Sequence, residues 1–207
     1  MIANPYLCKV NTQILKKLNP HGKIHVALKA DISIDYKKHN SFQEKTFING
    51  EPVEKIYDSS LGKVYIISKN PKSNYVDLSL DYDTRLRILK SFTCRYLINA
   101  VLEKYIGLRA NNFVTEEDRS SFFIRDLQDE EKIKETTSIL QRIIANYIQT
   151  GLDINTRPSD DGYLVEINGI YKGRQVCPHL SNLSEIVRFN IIHYEIKSSG
   201  VTFYYNN

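Results

Sequence analysis

The spacing of apolar and polar residues predicts strands in the first part of the chain. Short runs in which apolar and polar residues alternate, or in which β-branched residues cluster, occur from His25 to Leu80. Turn-forming pairs such as Asn49-Gly50 and Asn70-Pro71 separate these runs. We therefore expect a mostly antiparallel, barrel-like β unit in the N-terminal part of the chain.

The apolar period changes at Asp81 from two residues to about 3.6, which predicts a long amphipathic helix. Gly107 is expected to end this helix, and a second helix is predicted from about Asp129 to Gly151. Between the helices, two short apolar runs predict a hairpin. Alternating runs return after Pro158 and predict a further group of strands.

These elements predict an α+β fold with two domains. An N-terminal β-rich domain is expected over residues 1–80, and an α+β core over residues 81–207. In that core we expect long helices to pack on an antiparallel sheet.

The composition is that of an ordinary globular protein, with 42% hydrophobic and 25% charged residues among 207. No run approaches the roughly 20 apolar residues that a membrane span needs. The three cysteines, Cys8, Cys94 and Cys177, are odd in number and scattered, so a disulfide framework is not expected. We expect a cytoplasmic protein that binds neither a membrane nor DNA.

The charge and the common catalytic motifs narrow the function only slightly. The formal net charge of +4 suits an RNA partner, although a surplus this small does not establish one. The chain contains no Gly-x-x-x-x-Gly-Lys loop, no Gly-x-Gly-x-x-Gly and no Gly-x-Ser-x-Gly. Nucleotide hydrolysis, dinucleotide binding and serine esterase chemistry therefore have no support.

The segment from Ile167 to Ile186 carries a more specific pattern. It is similar to a signature that runs Ile-Gly-Asp-x-Asp, then Cys-Gly-Gly-Thr-His, then Val-x-Asn-Thr-Gly-Glu-Ile-Gly. Aligned without a gap, His179, Asn182, Glu185 and Ile186 fall on matching residues. The signature is that of the alanyl-tRNA editing family, which comprises the editing domain of alanyl- and threonyl-tRNA synthetases and its free-standing relatives.

The first predicted helix also resembles that family. There, an acid-x-x-x-Arg opening leads into His-x-x-x-His, followed by Leu-Leu-x-Ala. Asp81 and Arg85 fit the opening, and residues 97–100 fit the end. Ser91 and Arg95 stand where the two histidines would be. The likeness covers roughly residues 46–207.

The resemblance implies a zinc site whose ligands are mostly missing here. In the family the two helical histidines and the Cys and His of the signature supply the ligands, and these four positions correspond to Ser91, Arg95, Gln175 and His179. Only His179 is a good zinc ligand, and Arg95 places a fixed positive charge where the cation belongs. We expect neither a metal at this parental site nor another cofactor.

A shifted zinc site remains an alternative, with Cys94, Cys177 and His179 as its ligands. Cys94 is adjacent to Arg95 on the helix, and Cys177 and His179 would share one face of a strand. Three such ligands would leave an open position on the metal. Against this, cysteines in a protein of this kind are most often small buried apolar residues.

The family's Gly-Gly-Gly-Gln loop, which shapes the amino-acid pocket, is also replaced. The corresponding stretch from Lys37 to Glu44 contains no glycine. Without glycine the backbone loses easy access to positive φ, so the contacts to substrate must differ. The resemblance therefore does not predict which amino acid is bound.

The resemblance implies a trans-acting deacylase, an ester hydrolase that removes an amino acid from a mischarged tRNA of the alanyl or threonyl type. Its partner would be tRNA or the aminoacylated 3′ end of tRNA. His179, Ser91 and Arg95 are the candidate catalytic residues, and Arg95, Gln175 and Asn182 are the candidate substrate contacts.

Two alternatives to catalysis remain open. The chain would instead be an inactive, metal-free module that binds aminoacyl-tRNA or a small aminoacyl or anionic ligand. The guanidinium of Arg95 favours this, because it suits a carboxylate or a phosphate. The third possibility is a structural protein in which the cleft is filled.

Overall fold

A computed structural model describes residues 4–33, 44–116, 118–160, 162–175 and 177–207. The stretch predicted to replace the glycine-rich loop begins at Lys37, and its residues 37–43 lie outside the described residues. The first seven strands are β1 (Lys9–Leu18), β2 (Ile24–Leu28), β3 (Thr46–Ile48), β4 (Glu51–Pro52), β5 (Lys55–Ser59), β6 (Gly62–Ile67) and β7 (Tyr75–Leu80).

These seven strands form one antiparallel sheet in the order β4-β3-β7-β1-β2-β6-β5. The sheet curls into a half barrel. Its strands contribute a cluster of buried apolar side chains that includes Val26, Tyr65 and Leu78. Strands β2, β6 and β7 lie where the apolar pattern predicts them, whereas β1 has an exposed polar face and was not predicted.

Two helices and seven more strands follow in the described residues. The helices are α1 (Tyr82–Tyr105) and α2 (Glu130–Thr150). The strands are β8 (Ala110–Thr115), β9 (Ser120–Arg125), β10 (Ile154–Ser159), β11 (Gly162–Ile167), β12 (Tyr171–Gln175), β13 (Asn190–Lys197) and β14 (Gly200–Asn206). They form a three-stranded sheet, β10-β11-β12, and a four-stranded sheet, β13-β14-β9-β8.

Both helices begin and end close to the predicted residues. The side chain of Asp81 caps α1 by accepting a hydrogen bond from the backbone N–H of Thr84 at 2.8 Å. The side chain of Asp129 caps α2 in the same way, and Gly151 ends α2 in the left-handed conformation at φ 60°. Neither helix in the described part of the chain is long and apolar enough to cross a membrane.

The expected α+β core of long helices packed on an antiparallel sheet is wrong. Sheet dominates the described residues, at 43% of them, and the same ranges contain only two α-helices. The physical reason lies in the surroundings of α1. The expected helix would have packed on a sheet through one apolar stripe, whereas α1 is surrounded by other residues on all sides. No residue from Thr84 to Leu102 is exposed, and polar side chains such as Ser91 and Thr93 are buried along with the apolar ones.

A second cluster of buried apolar side chains is shared by the two helices and the two C-terminal sheets. It is separate from the cluster of the half barrel. The division of the chain into domains at residue 80 stays a prediction.

Arg85 connects α1 to the N-terminal part of the chain. Its side chain is fully buried, and its Nε and Nη2 donate hydrogen bonds to the carboxylate of Glu44. Nη1 donates to the backbone oxygen of Pro5 at 2.9 Å, and Nη2 also donates to the backbone oxygen of Ile32. One side chain of α1 thereby holds three separate segments of the N-terminal part.

Val187 occupies a strained backbone conformation after the 3₁₀ helix at Leu183–Ile186. Its φ of 70° and ψ of −54° are those of a γ-turn, and the N–H of Arg188 donates to the backbone oxygen of Ile186 at 2.9 Å. This conformation is costly for a β-branched residue. The side chain of Val187 is 72% exposed, so little burial offsets the strain.

We expect Val187→Gly to stabilise the protein by about 1 kcal/mol, because glycine adopts positive φ at no steric cost. Urea denaturation would measure the change. The matched control is Ile196→Gly, which removes an exposed aliphatic side chain from β13 and should destabilise by roughly 0.5 to 1 kcal/mol. The same loss in both variants would contradict backbone strain at Val187.

Candidate functional site

A cleft of about 450 Å³ opens beside the C-terminal half of α1 and the strand β12. We call it the Tyr96 pocket. Its size falls within the range of small-molecule sites. It is lined by Tyr96, Asn99, Ala100, Glu103, Lys104, Arg109, Ile170, Tyr171 and Gln175.

A chain of hydrogen bonds forms one wall of the Tyr96 pocket. The hydroxyl of Tyr96 donates to Oε1 of Gln175, and Nε2 of Gln175 donates to the hydroxyl of Tyr171. Tyr171 and Gln175 lie on the same face of β12 because they are four residues apart in a strand. Gly173 lies between them, and a Cβ at this position would collide with the phenol of Tyr171. The missing side chain at Gly173 thus lets Tyr171 reach Gln175.

His179 is buried beside this wall. Its Nδ1 lies 3.4 Å from Oγ1 of Thr93, which donates its own proton to the backbone oxygen of Leu89 at 2.9 Å. Nδ1 must therefore be the donor toward Thr93, and this network assigns the lone pair to Nε2. Nε2 is buried and has no hydrogen-bond partner within the described ranges.

Burial lowers the pKa of His179 to about 3, so the imidazole is neutral at physiological pH. Its ring packs edge to face against Tyr96, with ring centroids 4.9 Å apart. Tyr96 also bonds Gln175, and burial raises the pKa of the Tyr96 phenol. Tyr96 therefore connects the buried histidine to the pocket.

Ser91 and Arg95 lie together on another face of α1. The hydroxyl of Ser91 forms a hydrogen bond with that of Thr115 on β8. The guanidinium of Arg95 lies over the rings of Phe92 and Phe113, with Cζ 5.0 Å and 5.7 Å from their centroids. Burial lowers the pKa of Arg95, while Tyr205, Tyr96 and Cys177 act in the opposite direction.

The four parental metal positions are thus arranged as two neighbouring pairs. Ser91 and Arg95 pack against β8 and its neighbours, whereas Gln175 and His179 both contact Tyr96. Tyr96 interacts electrostatically with Arg95, so the pairs adjoin each other through this residue.

The alternative zinc ligands are Cys94, Cys177 and His179, and all three are buried. Burial raises the pKa of Cys94 to about 12, and its Sγ accepts a hydrogen bond from Nδ2 of Asn207 at 3.4 Å. None of the three cysteines, all of which lie in described ranges, forms a disulfide. Within those ranges no three His, Cys, Asp or Glu side chains are grouped so that they could hold a metal ion. The shifted zinc site stays a prediction.

Asn182, the remaining predicted substrate contact, caps the 3₁₀ helix at Leu183–Ile186. Its Oδ1 accepts from the N–H of Ser184 at 2.8 Å, and its own N–H donates to Oε1 of Glu185 at 2.9 Å. Its Nδ2 donates to the backbone oxygen of Gly151 at 2.7 Å and to Oδ1 of Asp153 at 2.9 Å. These bonds fix the segment after His179, and contact of Asn182 with substrate stays a prediction.

Tyr6 holds the same segment from the N-terminal side. Its hydroxyl donates to the carboxylate of Glu185, with an oxygen–oxygen distance of 2.8 Å, and accepts from the N–H of Ser181 at 2.6 Å. The matching residues of the signature are therefore held in a structural network, and Ile186 is fully buried next to them.

Tyr96, Tyr171 and Thr93 belong to the site but were not among the predicted residues. A signal existed for Tyr171, because the alternation Tyr-x-Gly-x-Gln places it on the same strand face as Gln175. Thr93 and Tyr96 lie on the helix between and beside the predicted positions. Nothing in the local sequence shows that this face of α1 meets residues about 80 positions later.

Comparison with known proteins finds two alanine–tRNA ligases, from strains C5 and C7 of Methanococcus maripaludis. Each is 26% identical to this chain over 160 residues. The alignment covers 67% of this chain and 18% of each ligase, so the chain spans less than a fifth of the length of these curated relatives. No protein-family model matches the chain. The chain is thus similar in sequence to one part of the alanine–tRNA ligases.

Proposed function

We propose that this chain binds the aminoacylated 3′ end of a tRNA in the Tyr96 pocket. The observation that carries the proposal is the hydrogen-bonded wall of Tyr96, Gln175 and Tyr171. Gln175 in this wall stands at one of the four positions that correspond to zinc ligands in the resembling family. Its two aromatic rings offer faces on which a base or ribose can stack. The amide of Gln175 can donate to an ester carbonyl and accept from an amino group. Similarity to alanine–tRNA ligases supports the same ligand.

The mouth of the pocket presents charges of both signs. Glu103, Lys104 and Arg109 line it, and Nε of Arg109 lies 3.5 Å from Oε1 of Glu103. Both partners of this ion pair are largely exposed, so it is weak and can exchange for contacts with a ligand. A carboxylate suits the α-amino group of an aminoacyl ester, and the two cations suit the phosphate next to the terminal nucleoside.

Hydrolysis of the aminoacyl ester is the second candidate function. The lone pair at Nε2 of His179 favours it, because this buried acceptor has no hydrogen-bond partner in the described ranges and would suit a water or a substrate hydroxyl. The low pKa of His179 makes the imidazole a weak base, so it would orient a nucleophile more than deprotonate it. Trans-acting editing of mischarged tRNA would be the reaction.

The binding proposal predicts that the chain distinguishes charged from uncharged RNA. An acceptor-stem minihelix carrying alanine through a non-hydrolysable 3′ amide should bind more tightly than the uncharged minihelix, as measured by fluorescence anisotropy. Gln175→Leu should weaken binding of the charged minihelix about tenfold, because it removes two hydrogen-bonding groups. It should leave the uncharged minihelix unaffected.

The matched control is Gln149→Leu, which makes the same change at an exposed position on α2. Equal affinity of the native chain for the charged and uncharged minihelices would contradict the proposal. Hydrolysis is tested separately with alanyl-, seryl- and threonyl-tRNA, both correctly charged and mischarged. A rate no higher than in buffer across this panel would exclude the second function and leave the first.

A further inference from the structure

A second pocket, of about 320 Å³, lies beside the N-terminal half of α1. Four cationic side chains from three separate parts of the chain line it. Arg87 and Lys90 come from α1, Arg119 precedes β9, and Arg188 precedes β13. We call this site the basic pocket.

The lining of the basic pocket carries a net positive charge. Asp83 and Asp118 are the two carboxylates in its lining, so the cations outnumber them by two. The pocket also lies beside the first turns of α1, where the helix dipole adds a partial positive charge. The summed field favours an anion in this concave site.

Arg119 is held in place before any ligand binds. Its Nε donates to Oε2 of Glu116 at 2.9 Å, and its Cζ lies 4.9 Å from the centroid of the Tyr204 ring. Both contacts leave other N–H groups of the guanidinium able to donate, because arginine has five. Arg119 therefore presents a pre-positioned fork of donors.

The strained turn at Val187 sets the direction of Arg188. Ile186 precedes the Val187-Arg188 pair and Phe189 follows it, and both of these apolar residues are buried. Arg188 is exposed and lines the pocket. The γ-turn lets the chain bury two apolar side chains three residues apart and point the intervening arginine outward. Strain of this kind concentrates at sites that bind ligands.

Asn206 adds an unsatisfied polar group to the same lining. Its Oδ1 is buried and has no hydrogen-bond partner among the residues that the structure describes. The side-chain amide can turn its NH₂ group toward an anion. In that orientation the NH₂ group, and not Oδ1, donates to a bound anion.

We propose that the basic pocket binds phosphodiester groups of RNA. Three of its four cations are arginines, whose planar guanidinium matches the two oxygens of a phosphate. The identity of the polyanion as RNA rests on the proposed function. The α1 residues of the basic pocket and those of the Tyr96 pocket lie on different faces and in different halves of the helix. Separate residues would thus bind the RNA backbone and its charged end.

The uncharged acceptor-stem minihelix tests this inference, with its affinity measured over a series of salt concentrations. Lys90→Gln and Arg188→Gln should each weaken binding several-fold. Each should also reduce the slope of log affinity against log salt by about 0.7 to 0.9, which corresponds to one lost phosphate contact. Lys132→Gln, an exposed helical lysine on α2, is the matched control and should change neither quantity.

Unchanged affinity and slope in both pocket variants would overturn the inference. The two proposals fail in different ways. If the variants weaken binding but charged and uncharged minihelices bind equally well, only the Tyr96 pocket proposal fails. If the charged minihelix binds more tightly than the uncharged one but neither pocket variant changes the affinity or the salt slope, only the basic pocket proposal fails.

Discussion

Replacement of Arg85 by methionine is expected to destabilise the protein by about 3 to 5 kcal/mol. Arg85 and Glu44 are both buried, and the guanidinium also bonds the backbone oxygens of Pro5 and Ile32. Methionine fills much of the volume but donates no hydrogen bond. Glu44 would then be left as a buried carboxylate without its charged partner, which costs more than the ion pair itself contributes.

Urea denaturation of native chain and variant measures this effect. The control is Arg142→Met, which removes an exposed arginine from α2 and should change the stability by no more than about 0.5 kcal/mol. The double variant Arg85→Met with Glu44→Leu should recover part of the loss, because it removes both charges. A double variant less stable than either single variant would show that the desolvated charge is not the cause.

Acid is expected to destabilise the protein strongly through His179. Its pKa is about 3 in the folded state and about 6.5 in the unfolded state. Between these values the unfolded chain binds a proton that the folded chain excludes. The contribution of His179 is complete above pH 6.5 and is lost as the pH falls toward 3, by about 1.4 kcal/mol per pH unit. The full loss is about 5 kcal/mol.

Comparison with His179→Gln isolates this contribution, because glutamine is neutral throughout and the other titrating groups are shared. The stability of the native chain should fall more steeply than that of the variant between pH 6.5 and 4. A second measurement does not need the variant to fold. NMR of the imidazole protons should show that His179 does not titrate above pH 4, and titration of His179 near pH 6.5 would contradict the buried state.

Both helices were predictable because their ends carry strong local signals. Asp81 and Asp129 cap them, and Gly151 ends the second in a conformation that glycine favours. The surroundings of α1 were not predictable from the same pattern. Apolar periodicity marks one face, but Arg85 and Ser91 are buried through contacts with Glu44 and Thr115, which lie far away in the sequence.

Strand β1 shows the corresponding limit for sheets. Of its ten residues only Thr12 is buried, yet the strand lies in the middle of the half barrel and pairs with β2 and β7. Backbone pairing with both neighbours fixes its position in the sheet. Such pairing leaves no trace in the alternation of apolar and polar residues, so the pattern did not predict this strand. The sequence pattern therefore predicted too few strands and gave the helices too large a part in the fold.

The sequence predicted some positions of the candidate site but not the residues that surround them. The resemblance selected His179 and Gln175, and the structure places both against Tyr96. Ser91 and Arg95 pack on an adjoining face of α1, and Arg95 interacts electrostatically with Tyr96. A spacing of four residues fixes which side chains share a helix face, but not which partner that face meets.

The bonds between Tyr6 and Glu185 join residues 179 positions apart in the chain. Contacts of such sequence separation form late, because the entropy of closing a long loop must be overcome before they contribute. The segment that carries His179 therefore depends in part on the arrival of Tyr6, in addition to the bonds of Asn182 with Gly151 and Asp153. We expect it to be among the last parts of the protein to order during folding, after both helices have formed.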